Sequence, residues 1–397
     1  MVEKNKKLTR LRYKVGMIGI ITIILIAFYI KSNPKLSVFT ETNLDPNQSD
    51  FDLEITNLLT DKLNYLGIPG MQVTIMLNND LHNYYIGTID YKRTEKVTED
   101  NVFRIGSVTK IFTATLVLQL AEEGYLNLED TIDKWFPDIP HSKNITIRSL
   151  LNHTSGIYNY TEDILLAAKT FLNSNKKWTP DDLYSYTLKG QPSFKPGEDH
   201  RYSNSNYLLL GLICEETTGR KYEELLHEKI IDPLDLKHTY IPPYDEIPVK
   251  LVEGYDRDVI PLGINKIKTS NTSWSSMAYS AGALISNCTD LVKFINSLFK
   301  EELISSQSLE EMMDFIACTD EDIPVQTGYG LGLRRLEIDG NTLIGHTGTI
   351  PGYGGLLMHN LEKNYSIAVL ANISYLDQIT ILTELIDHLT DLIPSCP

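Results

Sequence analysis

Apolar and polar residues follow two different rhythms along this chain, and each rhythm keeps to its own stretch. Phe51–Tyr65 repeats apolar residues at three- and four-residue steps behind Asp50, which predicts an amphipathic helix with Asp50 as N-cap. Gly70–Leu77 and His82–Gly87 read as strands flanking a turn at Asn78-Asn79-Asp80, the pattern of a hairpin. From Ser107 to about Gly124 the chain reads as a long, mostly apolar helix. Residues 125–250 are mainly helical, punctuated by Pro and Gly, with Tyr207–Glu216 and Tyr222–Ile231 the clearest helices. Beyond Gly328 the strand rhythm returns, in Tyr329–Leu336, Thr342–His346, Gly355–His359 and Tyr365–Ala371. An amphipathic helix, Leu376–Leu392, follows. Strand-rich ends around a helical middle predict one sheet built from both ends of the chain, with helices packed on it and a helical domain inserted.

The first 50 residues break this pattern. Residues 1–14 hold six basic residues and one acidic residue. Val15–Ile30 follows at once, 16 residues without a charge. As a helix it spans about 24 Å, short of a bilayer core of about 30 Å. Tyr13 and Tyr29 stand at its ends, where amphipathic rings favour the interface. The rival reading is a secretory signal, which wants a shorter apolar core and a small-residue cleavage site. No A-x-A pattern occurs in Ala27–Ser37, so the run is read as an uncleaved membrane anchor. Residues 32–50 are polar, rich in Pro and Asn, and read as a linker. The basic head stays cytoplasmic under either reading, which puts the remainder outside the membrane.

Composition narrows the function. The 397 residues are 42% hydrophobic and 22% charged, an ordinary globular balance. Net charge is −16, so with +5 in the head the other residues carry −21. That excess argues against nucleic acid as a partner, because phosphate neutralisation needs clustered Lys and Arg. Cys214, Cys288, Cys318 and Cys396 are far apart and form no metal-ligand pattern, so no metal or other cofactor is expected. Cys214 lies in an apolar helical run and reads as a small core residue.

Three short motifs carry possible chemistry. Ser107-Val108-Thr109-Lys110 has S-x-x-K spacing, follows a Gly and opens the apolar helix. Three other S-x-x-K matches lie at Ser32, Ser174 and Ser297, none in such a place. Three residues put Lys110 one turn from Ser107 on the same face. A hydroxyl needs a base to become a nucleophile, and a buried Lys can be neutral near pH 7. An N-cap Ser beside a solvated Lys is the plainer reading of that motif alone. Tyr202-Ser203-Asn204 follows a Pro-Gly turn, and its two outer side chains can point the same way to shuttle a proton and bind a carbonyl. His346-Thr347-Gly348-Thr349 lies on a strand-like segment whose free N–H groups can pair with an extended substrate or supply an oxyanion donor.

In this order and spacing the three motifs resemble the penicillin-recognising serine hydrolases: class C β-lactamases, low-molecular-weight D,D-peptidases and related esterases and D-aminopeptidases. The resemblance runs from about residue 51 to 393 and includes Leu150–Ile157, Phe194–Gly211, Gly328–Gly332 and Gly345–Gly352. It implies an α/β, β-lactamase-like fold over 51–393: an antiparallel sheet flanked by helices, with a helical subdomain at about 115–255. It implies Ser107 as nucleophile, Lys110 as its proton acceptor or electrostatic partner, and Tyr202 as the second acid/base. Asn204, His346, Thr347, Gly348 and Thr349 would bind substrate, with the N–H groups of Ser107 and Thr349 as oxyanion hole. His153 would be structural, holding the helical part near the site.

The family often has Lys where this chain has His346. A protonated His346 facing a substrate carboxylate is expected to work less well than Lys, which leans towards an esterase, a D-amino-acid peptide hydrolase or an unusual peptidase and away from strong β-lactamase activity. The implied substrate is a small molecule or peptide. The alternative is a catalytically weak, membrane-tethered sensor that captures cell-wall peptides or β-lactams.

Overall fold

The computed structural model describes residues 49–242, 244–257, 264–267, 272–374 and 376–390. The basic head, the apolar run 15–30, the linker as far as residue 48, and Cys396 lie outside the described residues. Among the described residues, no helix is long and apolar enough to cross a membrane.

Helix α1 (Asp50–Leu66) begins one residue earlier than its apolar rhythm suggests. Ser49, not Asp50, is the cap: its extended backbone turns the hydroxyl onto the Asp52 N–H at 3.1 Å. Asp50 becomes the first helical residue, where a carboxylate suits the positive end of the helix. Strands β1 (Gly70–Leu77) and β2 (Asp80–Gly87) form the expected hairpin. Asn78 and Asn79 sit at φ 51° and 73°, the paired left-handed residues that match the twist of a two-residue hairpin.

After the short strand β3 (Phe103–Arg104), a 3-10 turn at Gly106–Val108 feeds helix α2 (Thr109–Glu122). Helices α3 (Ile147–Leu151), α4 (Ile164–Leu172), α5 (Pro180–Thr187), α6 (Asn204–Thr218) and α7 (Tyr222–Leu226) make up the middle of the chain. A π-helical turn, His227–Ile231, replaces the end of the expected helix after α7. Strands β4 (Gly254–Arg257) and β5 (Ile264–Ile267) pair with each other, and helix α8 (Thr272–Ala278) precedes β6 (Ile285–Ser286), which pairs with β3. Helices α9 (Cys288–Phe299) and α10 (Ser306–Met312) lead to β7 (Gln326–Tyr329), β8 (Arg334–Ile338), β9 (Asn341–Ile350), β10 (Tyr353–Asn360), β11 (Tyr365–Ala371) and helix α11 (Gln378–Thr390).

The main sheet has seven strands in the order β2-β1-β11-β10-β9-β8-β7, all paired antiparallel. Strand β1 joins β11 from Met71↔Ala371 to Leu77↔Tyr365, so both ends of the described chain meet in its interior. The expected strand Tyr329–Leu336 is two strands, because Gly332 turns at φ 81° and passes so close to α2 that a Cβ there would lie 2.6 Å from the Ala114 methyl.

Each sheet face is covered. Ile55, Leu59 and Leu63 of α1 and Leu382 and Leu385 of α11 pack with Val73, Leu356 and Val369 on one face. On the other, Leu357, Ala368 and Leu370 belong to one apolar cluster with α9, α2 and α6. Phe112 of α2 stacks on Phe294 of α9 with ring centroids 3.7 Å apart. The helical middle thus shares its core with the sheet, and the site lies at their junction. Cys214 is buried in that core, as its apolar surroundings suggested.

Candidate active site

The turn before α2 and the far half of β9 approach each other because two glycines let them. A Cβ on Gly106, which sits at φ 52°, would lie 2.9 Å from the Thr349 backbone nitrogen. A Cβ on Gly348 would lie 2.1 Å from the Ile105 carbonyl oxygen and 3.2 Å from the Ser107 nitrogen. Backbone therefore packs on backbone, with the N–H groups of Ser107 and Thr349 on the two approaching segments. Pairing of β9 with β8 stops at Gly345, whereas its pairing with β10 runs on to Ile350. Residues 346–350 consequently have a strand neighbour on one side only. On the sheet side, Gln378 at the start of α11 donates from Nε2 to the Gly348 carbonyl at 2.8 Å and fixes that stretch of β9.

Ser107 lies in the 3-10 turn and Lys110 in the first turn of α2, one helical step away and completely buried. Lys110 Nζ lies 2.7 Å from the Ala281 carbonyl, 2.8 Å from Asn204 Oδ1 and 3.2 Å from Ser107 Oγ. Two of these partners can only accept. A neutral amine has two hydrogens for them and one lone pair left for the serine hydroxyl. Burial, and then the positive charge of Arg334, hold Lys110 well below the ordinary lysine pKa, favouring that neutral form. Tyr202 donates its O–H to Ser107 Oγ at 2.8 Å. Its pKa is pushed up to about 12, chiefly by burial, with Arg334 and Ser107 opposing, so the phenol keeps its proton. One arrangement of protons satisfies all three groups: Tyr202 gives to Ser107, and Ser107 gives to Lys110. Asn204 Nδ2 also donates to Thr161 Oγ1 at 3.0 Å, which fixes its amide.

His346 differs from its expected charge state. It is fully buried, and burial, Arg334 and Lys110 hold its pKa well below the ordinary histidine value. Its hydrogen bonds fix the tautomer through a relay. His153 Nδ1 accepts from the Ser203 N–H at 3.3 Å and from Asn206 Nδ2 at 2.9 Å, so its proton sits on Nε2, facing Tyr329 OH at 3.2 Å. Tyr329 in turn donates to His346 Nε2 at 2.9 Å, leaving the His346 Nδ1–H to the Thr347 carbonyl at 2.5 Å. A neutral imidazole with both nitrogens engaged has no N–H for a substrate carboxylate. The protonated form expected of His346 is therefore disfavoured in this setting. His153 ties Ser203 and Asn206 of the helical part to Tyr329 of the sheet, the structural position expected of it.

The fixed positive charge beside the site belongs instead to Arg334, which the sequence reading missed. It is nearly buried, its Nη1 donates to Asp320 Oδ2 at 2.7 Å and to Gln326, and its guanidinium carbon lies 5.2 Å from the Tyr202 ring centroid. A signal was available: Arg334 alternates with Leu336 and Ile338, the buried register of β8. Among the described residues, no cluster of His, Cys, Asp and Glu is arranged to hold a metal ion.

The chain is similar to several known proteins. Penicillin-binding protein 4* of Bacillus subtilis (strain 168) is 26% identical over 299 residues, 74% of this chain and 65% of that protein. This chain thus spans just under two thirds of the length of the curated relatives it matches, such as protein flp of Staphylococcus aureus at 66%. A D-stereospecific amidohydrolase from Streptomyces sp. superposes with a TM-score of 0.74 at 30% identity, covering 85% of this chain and 98% of that one. The D-amino acid amidase of Ochrobactrum anthropi SV3 gives 0.79 at 26%, covering 87% and 99%. The β-lactamase family model matches residues 55–389, from the first helix through the last, and with that match over most of its length the chain belongs to the β-lactamase family.

Proposed function

We propose that this protein is a serine hydrolase that works through an acyl-Ser107 intermediate on amide or ester substrates. The observation that carries the reading is Ser107 Oγ held between Lys110 Nζ at 3.2 Å and Tyr202 OH at 2.8 Å. As Oγ attacks the substrate carbonyl, its proton passes to the neutral Lys110 amine. The negative charge on the carbonyl oxygen is taken by the N–H groups of Ser107 and Thr349. Collapse of the tetrahedral intermediate breaks the bond to the leaving group, which receives the Tyr202 proton, and Lys110 restores it to the phenolate. Water then attacks the acyl-enzyme by the reverse path, regenerating Ser107. Asn204 holds the acyl-side amide or carbonyl, and the edge of β9 at Thr347–Thr349 aligns the substrate. His346 acts in this scheme as a neutral support for β9.

Substrates of this chemistry include D-amino-acid peptides, cell-wall peptides, β-lactams and small esters. The similarity to penicillin-binding protein 4* and to the D-amino acid amidase supports that range. We place residues 51–393 in one hydrolase domain with a helical part at about 115–255. The basic head and the apolar run 15–30 support anchorage of that domain outside the membrane.

Intact-mass spectrometry after exposure to a β-lactam and to a D-Ala-terminated peptide ester tests the reading, with Ser107→Ala as control. One acyl adduct per chain is expected on the wild-type protein and none on the variant. An adduct that persists in Ser107→Ala, or no adduct with any ester, would refute it.

A further inference from the structure

Beside Ser107 a cleft of about 290 Å³ opens between the loop leading into α4, helix α8 and the end of β9. Its apolar walls are Ala167 of α4, Trp274, Met277 and Ala278 of α8, Ile350 at the end of β9 and Pro351 just beyond it. Ser107, Asn204 and Thr349 also line it and Arg334 does not, so with Asn204 in its proposed role the cleft receives the acyl side of the substrate. Among the described residues that line it, none is charged.

The hydroxyls of Tyr160 and Thr161, which also line it, are committed elsewhere. The Tyr160 hydroxyl donates to the Met277 carbonyl at 2.6 Å. Thr161 Oγ1 donates to Asn159 Oδ1 at 2.9 Å and accepts from Asn204 Nδ2. The two carboxylates that follow Thr161 in the chain are also engaged. Glu162 holds Arg201 through both oxygens, at 3.1 and 3.3 Å, and Asp163 caps α4 by accepting the Leu166 N–H at 2.8 Å. An acyl group carrying a free α-ammonium would meet no anion among the described lining residues and would lose its water. A cavity of about 150 Å³ holds a benzene ring. The present cleft therefore has room for a ring and the short linker to a carbonyl.

We propose that the acyl half of the substrate is uncharged and apolar, of arylalkanoyl size, and that the cleft discriminates against acyl groups with a free α-ammonium. The inference rests on the acyl-Ser107 reading above and names the substrate class within it. An amide-blocked amine fits this class, because its N–H needs only an acceptor and brings no charge to be desolvated.

The test is hydrolysis by the full-length protein of two methyl esters that differ only at Cα: 3-phenylpropanoate and D-phenylalaninate. At pH 6 the amine is protonated, and kcat/KM should favour 3-phenylpropanoate by about 100-fold or more. At pH 9 most of the amine is neutral, its pKa lying near 8, and the ratio should narrow to within about tenfold. Ala167→Asp, which sets a carboxylate at the cleft wall, should shift the pH 6 ratio towards D-phenylalaninate. Equal or better hydrolysis of D-phenylalaninate by the wild-type protein at pH 6 overturns the inference while leaving the hydrolase reading intact. Failure of both esters, and of p-nitrophenyl acetate, to acylate Ser107 by intact mass overturns the hydrolase reading itself, and the inference with it.

Discussion

Lys110 has neighbours that dictate what it can do. Its two short contacts are to acceptors, its charge is unwelcome, and Arg334 repels it further. The sign of the resulting pH dependence follows. Acylation needs the neutral amine, so kcat/KM should climb as pH rises through the depressed Lys110 pKa. The climb should end far below the range of an exposed lysine. Replacing Arg334 by Met removes a positive charge, lets the Lys110 pKa rise again and moves the climb to higher pH. Activity at a fixed pH on the rising limb then falls by roughly tenfold for each unit the limb moves. Arg334→Lys should hold the limb in place. A pH–rate profile of the three proteins checks this, and an unmoved limb in Arg334→Met would remove Arg334 from the account. The Ser107–Lys110 pair was legible in the sequence because three residues make one helical turn. The third partner was not: 95 residues separate Tyr202 from Ser107, and only the resemblance to a known family joined them. His346 was legible as a residue but not as a neutral one, since burial and the Tyr329 hydroxyl belong to the fold.

Strand β9 and the turn at Gly106–Val108 are elements whose value lies in their closeness. Gly348 has extended, ordinary backbone, so only contact explains the missing side chain there. Gly348→Ala must push β9 away from Ile105, because 2.1 Å to a carbonyl oxygen leaves no room for a methyl group. Burst acylation should drop by about 100-fold or more, the usual cost of losing one oxyanion donor. Thermal stability should fall by a few kcal/mol at most, as for other overpacked sites. A burst of normal size in a folded Gly348→Ala protein would mean that Thr349 does not serve the oxyanion. At this scale strands β1 and β11 were read with their observed limits, because alternation and flanking turns mark both ends. Strand β9 reads in the sequence as two pieces, Thr342–His346 and a strand-like segment over His346–Thr349, and the fold joins them into one strand, Asn341–Ile350. The π-helical turn after α7 has no counterpart in the apolar rhythm that suggested a continuous helix.

For the molecule as a whole, the meeting of β1 with β11 matters most. It was anticipated from strand-rich ends around a helical middle, although periodicity could not supply the strand order. Helix α11 closes the same face, burying Ile381, Leu382, Leu385, Ile386 and Leu389. At about 1.5–3 kcal/mol for each buried side chain, the five are comparable with the net stability of an ordinary domain. A chain ending at residue 377 should therefore lose its cooperative thermal transition and its acylation together, although α11 lies across the sheet from the cleft. Calorimetry with intact-mass labelling checks both, and a truncated protein that still melts cooperatively near the parent temperature would contradict it. Gln378 ties the same helix to Gly348. During synthesis, the serine and lysine leave the ribosome some 270 residues before that glutamine does. A nascent or clipped polypeptide that lacks Gln378 would hold the nucleophile without the tie that fixes Gly348, so the proposed chemistry would become available only once that helix is made.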